Sequence, residues 1–361
     1  MGLAGIKDVA EQAGLSIATV SRALSGKANV SPRSRQLAQA AAEELGFVPS
    51  YHASSLASGR NHNVGLVLPS VHRWYFSSVV EGVSATLLDA GYDLTLYNVG
   101  FQPERRRSVL NDFLLRKRLD AVIAVALVLS EAEIKRLLAI HRPIVGIGGA
   151  LAGASTIRID DAGLSRMAAE HLIHLGHTRI AHMTGYAELN QDFKLPGIRQ
   201  GGFETAMKAA GLGVRPEWQV SADFTIQGAY ASARKLLGTA ERPTAVFAAS
   251  DEMAIGTILA ARDFGLRVPQ DLSVIGIDGH ELGEVFGLTT INQDARGQGT
   301  MAAQMLLERL DAGARQDGAR QGGKTGGSVH SSEVPATVDR EYPTEFIIRT
   351  STAVPPAAAQ A

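Results

Sequence analysis

The first fifty residues place apolar side chains at helical spacing in three short segments. Gly14 ends the first segment, and Ser16 is suited to cap a second helix over Ile17–Leu24. The Ser31–Pro32 pair favours the start of a third helix, because the hydroxyl caps free N–H groups and proline costs no hydrogen bond there. Two short helices joined by a tight turn, with a third beside them, predict a helix-turn-helix domain over residues 1–48.

From Val64 onward, short apolar runs alternate with helix-length amphipathic segments. This alternation is typical of βαβ units and parallel sheets. The rhythm occurs twice, up to about residue 160 and again from about 161 to 290, so we expect two similar α/β lobes with a ligand cleft between them. The predicted fold class is an N-terminal all-α helix-turn-helix headpiece plus an α/β two-lobe core, with parallel sheets and helices on both faces.

Changes in composition set the remaining boundaries. Residues 49–62 form a polar linker, and the core extends over 63–350. We assign lobe 1 to about 63–160 and 291–325, and lobe 2 to about 161–290 and 326–350. Residues 312–335 are rich in Gly, Ser, Arg and Gln and indicate a flexible insertion, and 351–361 indicate a disordered tail.

Charge and cysteine content narrow the function classes. The net charge is −1, yet the first 60 residues hold six Lys and Arg against four Asp and Glu, which is the sign that DNA binding needs. The absence of cysteine excludes disulfides, thiolate metal sites and cysteine nucleophiles. No signal peptide and no run of about 18 apolar residues is visible, so we expect a cytoplasmic protein that does not enter a membrane.

Catalytic and metal-binding patterns are missing from the chain. It has no nucleophile elbow, Walker sequence or dinucleotide-binding glycine pattern after a strand, so we expect neither an enzyme nor a cofactor. His171, His174, His177 and His182 have spacings that could suit a metal. A glycine ends the helix before His177, and no carboxylate partner is evident, so we interpret these histidines as structural and predict no metal site.

Long ungapped strings resemble one family of regulators. They are IKDVAEQAGLSIATVSRALSG from residue 6 and VSPRSRQLAQAAAEELGFVPSYHASSLASG from residue 30. These resemble the DNA-binding headpiece of the lactose-repressor (LacI/GalR) family. Weaker matches in the same order, such as HLIHLGHTRIAHMTG, VPQDLSVIGIDG and LTTINQD, resemble that family's core, which is similar to periplasmic sugar-binding proteins.

The second helix of a helix-turn-helix enters the major groove, with its N-terminal residues touching base edges. Arg22 is the candidate for bidentate contact with guanine, and Thr19 and Ser21 are the other polar members of this helix. The resemblance implies that Ile17 and Ala18 choose the operator, and Ser16, Asn29 and Ser31 are placed to contact phosphates.

The resemblance also implies a hinge helix in residues 49–62 that forms on DNA. In the family, paired leucines from two subunits wedge into a central base step of the minor groove, where apolar wedges kink the duplex. Leu56 and Ala57 match those positions, and Ala53 is a further candidate contact in this segment. The alternative is a linker leucine that covers the core. Because one headpiece reads only a half-site, we expect a homodimer that binds palindromic operator DNA.

The effector site is expected in the cleft between the lobes, on scattered residues that match the family's pocket. Aromatic rings would stack on a sugar, and polar groups at strand ends would bind its hydroxyls. Arg199 would form bidentate hydrogen bonds to a pair of hydroxyls or to a carboxylate. The candidates are Arg73, Trp74, Tyr75, Phe76, Arg199, Ser250, Asp251, Asp278 and Gln293. Ser250 stands where Asn is common in the family, and Gly148 and Gly149 stand where many relatives carry Asp.

Together these features predict a ligand-responsive, sequence-specific transcriptional regulator. The expected activity is repression of carbohydrate-use genes, released by a sugar-type inducer. The alternative is a cytoplasmic sugar-binding protein without a regulatory role, and an enzyme acting on a nucleotide or a sugar is the third interpretation.

Overall fold

The described part of the N-terminal unit contains three helices: Ile6–Ala13 (α1), Ile17–Leu24 (α2) and Pro32–Glu44 (α3). Gly14 takes a left-handed conformation, with φ of 63°, and turns the chain between α1 and α2. Val9 and Val20 are fully buried at the centre of a small core to which α3 contributes three alanines. The predicted helix-turn-helix arrangement is therefore confirmed.

The computed structural model describes residues 4–24, 30–47, 60–100, 103–116, 119–127, 129–149, 151–185, 195–322 and 337–357. By their internal contacts, residues 1–63 with 118–120 form one unit and the rest of the chain forms a second. No helix in the described part is long and apolar enough to cross a membrane.

The second unit contains two six-stranded sheets, and its strands in chain order are Asn63–Leu68 (β1), Asp93–Asn98 (β2), Ala121–Val125 (β3), Ile144–Ile147 (β4), Ser155–Arg158 (β5), Ile180–Gly185 (β6), Gln219–Ala222 (β7), Ala245–Ala248 (β8), Ser273–Asp278 (β9), Thr289–Asn292 (β10), Asp339–Glu341 (β11) and Glu345–Ile347 (β12). The first sheet has the order β11-β5-β4-β3-β1-β2, and the second has β12-β10-β9-β8-β6-β7. Parallel registers join β1 to β3, β4, β5 and β11 in turn, and β10 to β9, β8, β6 and β7. Only β12 among the registered strands is antiparallel to its neighbour.

The helices that cover the sheets are Trp74–Asp89 (α4), Pro103–Ser108 (α5), Glu131–Leu138 (α6), Asp161–His174 (α7), Leu195–Ala209 (α8), Ile226–Leu237 (α9), Asp251–Asp263 (α10), Leu282–Val285 (α11) and Ala295–Gly322 (α12). In the second sheet Phe247 packs with α7 and α8, whereas its neighbours Val246 and Ala248 pack with α9 and α10. Successive residues of one strand thus enter opposite cores, as expected for a parallel sheet covered on both faces. The predicted fold class is confirmed.

The helices α4 and α12 lie against each other on the first sheet at backbone contact distance. A Cβ on Gly82 would stand 2.0 Å from the carbonyl oxygen of Arg296, and one on Gly299 would stand 2.3 Å from that of Val79. Neither position has room for a side chain, so glycine is required at both.

Three crossover segments connect the lobes, at residues 159–160, 293–294 and 342–344. The Tyr342 hydroxyl donates to the Asp294 carboxylate at 2.6 Å, and the Tyr342 amide donates to the Arg158 carbonyl at 2.7 Å. The crossovers therefore meet at one place, where side-chain and backbone hydrogen bonds hold them together.

The structure corrects four predicted boundaries. We predict residues 291–292 in lobe 1, but they belong to β10 in the sheet of lobe 2. We predict residues 326–350 in lobe 2, but β11, which lies within that range, joins the sheet of lobe 1. Residues 312–322, interpreted as a flexible insertion, continue α12, because Ala, Arg and Gln favour helix there. Ser351, expected in a disordered tail, is buried and donates its hydroxyl proton to the Val274 carbonyl at 2.6 Å.

Candidate functional site

One face of α2 carries the residues predicted to read DNA. Ser16, Ile17, Ala18, Ser21 and Arg22 are exposed, and Thr19 is half-buried. Val20 and Ala23 on the opposite face are buried. The predicted residues therefore lie together on the solvent-facing side of this unit.

Two of the predicted phosphate contacts begin helices. The Ser16 hydroxyl accepts the Thr19 amide proton at 3.1 Å, and the Ser31 hydroxyl accepts the Ser34 amide proton at 3.1 Å. Helix starts leave further N–H groups unpaired, which is the usual setting for a phosphate contact. Asn29, Ala53, Leu56 and Ala57 lie outside the described residues, and their roles stay predictions.

The first turn of α4 forms the wall of the cleft on the side of the first lobe. The Trp74 ring stacks on the His280 ring of the second lobe at 4.9 Å between centroids, and its Nε1 donates to the Glu281 carboxylate. Tyr75 donates to Gln298 Oε1 at 3.1 Å. Phe76, also a predicted ligand contact, is instead buried in the core of the first lobe.

Arg199 projects from α8 and is almost fully buried. Its Nε and Nη2 donate to Asp161 Oδ1 at 2.9 and 2.8 Å, and its Nη1 donates to the Ala249 carbonyl. The charge of Arg199 is therefore paired and its guanidinium is held in one orientation.

Ser250 and Asp251 are part of the scaffold at the start of α10. The Ser250 hydroxyl accepts the Met253 amide proton at 3.2 Å. Asp251 Oδ2 accepts the amide protons of Gly279 and His280, both at 2.9 Å, and Oδ1 accepts the Thr290 hydroxyl proton at 2.7 Å. Asp251 is fully buried, and burial raises its pKa to about 7. Both side chains therefore make hydrogen bonds within the second lobe, and their predicted contacts with a ligand stay predictions.

A chain of side-chain hydrogen bonds connects the lobes through the crossover at 293–294. Gln293 Nε2 donates to Asp278 Oδ1 at 2.5 Å, and Gln298 Nε2 donates to the Gln293 carbonyl at 2.7 Å. The Tyr75–Gln298 bond completes the chain. Burial raises the pKa of Asp278 to about 6, while the Arg199 charge opposes that rise. Hydrogen bonds therefore link Tyr75, Gln293 and Asp278 through Gln298, and the Arg199 charge acts on Asp278. All except Gln298 are predicted ligand-binding residues.

Several cleft residues were missed by sequence reasoning. Asp161, which holds Arg199, is distant in sequence and belongs to no motif. Glu252 is half-buried, and burial followed by the Asp278 charge raises its pKa to about 7, while Arg73 of the other lobe lowers it. Phe224, with φ of 57°, lies after β7 with its ring against Gly185. A polar or aromatic side chain directly after a strand was the only available signal.

The four histidines considered for a metal lie in separate environments. His171 contacts Thr352 and His177 contacts Thr244 and Ser273, whereas His182 is stacked between Phe203 and Phe247 and His174 is exposed at the end of α7. No group of three or more potential metal ligands occurs in the part of the chain that the structure describes.

Comparisons with known families match both units. Residues 5–50 match the family described as bacterial regulatory proteins, lacI family, and residues 169–326 match the periplasmic binding protein-like domain. The HTH-type transcriptional repressor PurR of Klebsiella pneumoniae strain 342 is 36% identical over 318 residues, which is 85% of this chain and 91% of the relative. PurR of Vibrio vulnificus is 34% identical over 85% of this chain and 92% of the relative.

Solved structures agree with this assignment. A complex of the transcriptional regulator CelR with cellobiose is 28% identical, with a TM-score of 0.66 and coverage of 96% of this chain and 99% of that one. The lac repressor dimer bound to operator is 23% identical, with a TM-score of 0.80 over 98% and 100% of the two chains, and shows a shared fold.

The helix-turn-helix unit and the two-lobe core define a ligand-responsive DNA-binding transcriptional repressor. Within that class, the chain belongs to the lacI family of bacterial regulatory proteins.

Proposed function

We propose that the protein represses carbohydrate-use genes as a homodimer on a palindromic operator, and that a sugar-type inducer in the cleft releases it. The observation that carries the effector side is the buried polar set of Arg199, Asp278 and Gln293, positioned beside Tyr75. Fixed charged and amide groups next to an aromatic ring suit a ligand with hydroxyls around an apolar ring face. The protein acts by binding alone, on chromosomal DNA in the cytoplasm.

The exposed face of α2 supports the DNA side of the proposal. Arg22 supplies the base-reading group, while Ile17 and Ala18 offer methyl contacts to thymine. Because one headpiece reads only half a palindrome, two copies double the specific contacts. Leu88 and Leu96, both exposed and apolar, are candidate contacts for the second copy on the first lobe.

The structure of the similar regulator CelR contains cellobiose, which favours a sugar as the effector of this protein. Induction follows if the sugar prefers a lobe arrangement that weakens the DNA-bound form. By linkage, DNA then weakens sugar binding by the same factor.

The test is a fluorescence-anisotropy titration of the full chain on its own gene's upstream DNA at several salt concentrations, with and without a panel of neutral sugars. We expect sequence-dependent binding that weakens steeply with salt, and release by at least one sugar. Arg22→Ala should lower affinity for the operator about 10- to 100-fold but keep the sugar-induced rise in melting temperature. Arg199→Lys should keep DNA binding and lose that rise.

A different outcome supports the alternative function. A sugar-induced rise in melting temperature without any sequence-dependent DNA binding would identify a cytoplasmic sugar-binding protein. Binding to DNA that no sugar releases would refute the inducer part of the proposal.

A further inference from the structure

Trp74 is the side chain in the first turn of α4 that bonds directly to the second lobe. Its ring lies over His280 with an interplanar angle of 22°, and its indole N–H donates to the Glu281 carboxylate. Glu281 is exposed and Trp74 is half-buried, so the contact lies at the solvent edge of the cleft. The neighbouring Tyr75, by contrast, bonds within its own lobe to Gln298.

The platform that receives Trp74 is rigid. The His280 amide donates to Asp251 at 2.9 Å, and His280 Nδ1 accepts the Leu282 amide proton at 3.0 Å. The His280 side chain is buried, and burial lowers its pKa, while the neighbouring Glu281 carboxylate opposes that shift. Trp74 therefore meets a prebuilt surface, and only one side of the contact has to move.

The contact is of moderate strength by its chemistry. A stacked pair and one hydrogen bond to an exposed carboxylate stabilise a closed arrangement without locking it. A contact of this kind shifts the balance between open and closed lobes and leaves both states accessible.

We infer that Trp74, His280 and Glu281 form an interlobe clasp, which holds the cleft closed and must open before an effector enters or leaves. This inference rests on the proposed function only in placing the effector in the cleft. It makes the clasp a determinant of how fast the repressor responds.

The chain has no cysteine, so a single introduced thiol reports on access to the cleft. We choose Glu252→Cys in the full-length protein and follow its alkylation by iodoacetamide without DNA or sugar. Glu281→Ala and Trp74→Phe each remove the same hydrogen bond, and each should raise the alkylation rate about threefold. The double variant should show no further increase, since both changes break one bond. Glu284→Ala, on the exposed side of α11, is the matched control and should leave the rate unchanged.

Equal rates in all variants, or fully additive effects, would overturn the clasp. If the cysteine variant fails to fold, Trp74 itself is the reporter, because the only other tryptophan is Trp218. In a Trp218→Phe background, Glu281→Ala should raise acrylamide quenching of Trp74 about threefold, and unchanged quenching would refute the inference. Neither measurement uses DNA or sugar, so either can succeed or fail independently of the proposed function.

Discussion

His182 lies on β6, fully buried between the rings of Phe203 and Phe247 at 5.0 and 4.9 Å. No partner meets hydrogen-bond geometry at either ring nitrogen among the described residues, although the Gln219 side chain lies near enough to favour the protonated ring. Burial lowers the pKa of His182 from 6.5 to about 3. The native protein therefore excludes a proton that the unfolded chain binds, and acid should weaken the second lobe.

The magnitude follows from this difference in pKa. Above pH 6.5 both states are neutral at His182 and stability is unaffected. Below that pH the unfolded state alone is protonated, and the free energy of unfolding falls by about 1.4 kcal/mol per pH unit until the native pKa is reached. Between pH 7 and pH 5 the expected loss from His182 is about 2 kcal/mol.

The assay is urea unfolding followed by circular dichroism at both pH values. Wild type also loses stability through His171, His177 and His280, whose pKa values are lowered by burial. The decisive quantity is therefore the difference from His182→Leu, which should lose about 2 kcal/mol less than wild type over this range. An exposed-site control, His174→Gln, should match wild type. Equal losses in wild type and His182→Leu would refute the reasoning.

Three further predictions concern packing, effector binding and DNA reading. Gly82→Ala should cost about 2 kcal/mol or more in urea unfolding, because its Cβ would meet a backbone carbonyl, whereas Gly201→Ala in open space should be neutral or stabilising. Asp161→Ala should weaken sugar binding in calorimetry about tenfold by releasing Arg199, with operator affinity in sugar-free buffer unchanged. Arg22→Ala should lower affinity for the operator by about 10- to 100-fold, and an equal loss on unrelated DNA would assign Arg22 to a phosphate instead.

The strands that could be predicted from sequence are those with continuous apolar runs, such as Ala121–Val125 and Ala245–Ala248. The short strands Ser155–Arg158, Gln219–Ala222 and Thr289–Asn292 begin with or contain polar residues and gave no such signal. Their pairing partners stabilise them, and those partners are distant in sequence.

The DNA-reading surface and the ligand cleft also differ in how far the sequence predicts them. The α2 surface could be predicted because its residues are contiguous and share one helix face. The cleft is assembled from separate strand ends, so Asp161, His280 and Glu281 became visible only in three dimensions. Ser250 and Asp251 show that polar residues at a strand end can also bond within the scaffold, and their predicted contacts with a ligand stay predictions.

The contact between α4 and α12 has a mechanical consequence. α4 starts at the cleft with Trp74 and Tyr75, and α12 starts directly after the crossover at 293–294. At Gly82 and Gly299 backbone touches backbone, so no side chain separates the helices at these two points and none can absorb a displacement there by changing rotamer. We therefore expect a ligand that displaces the first turn of α4 to move the start of α12, and with it the crossover.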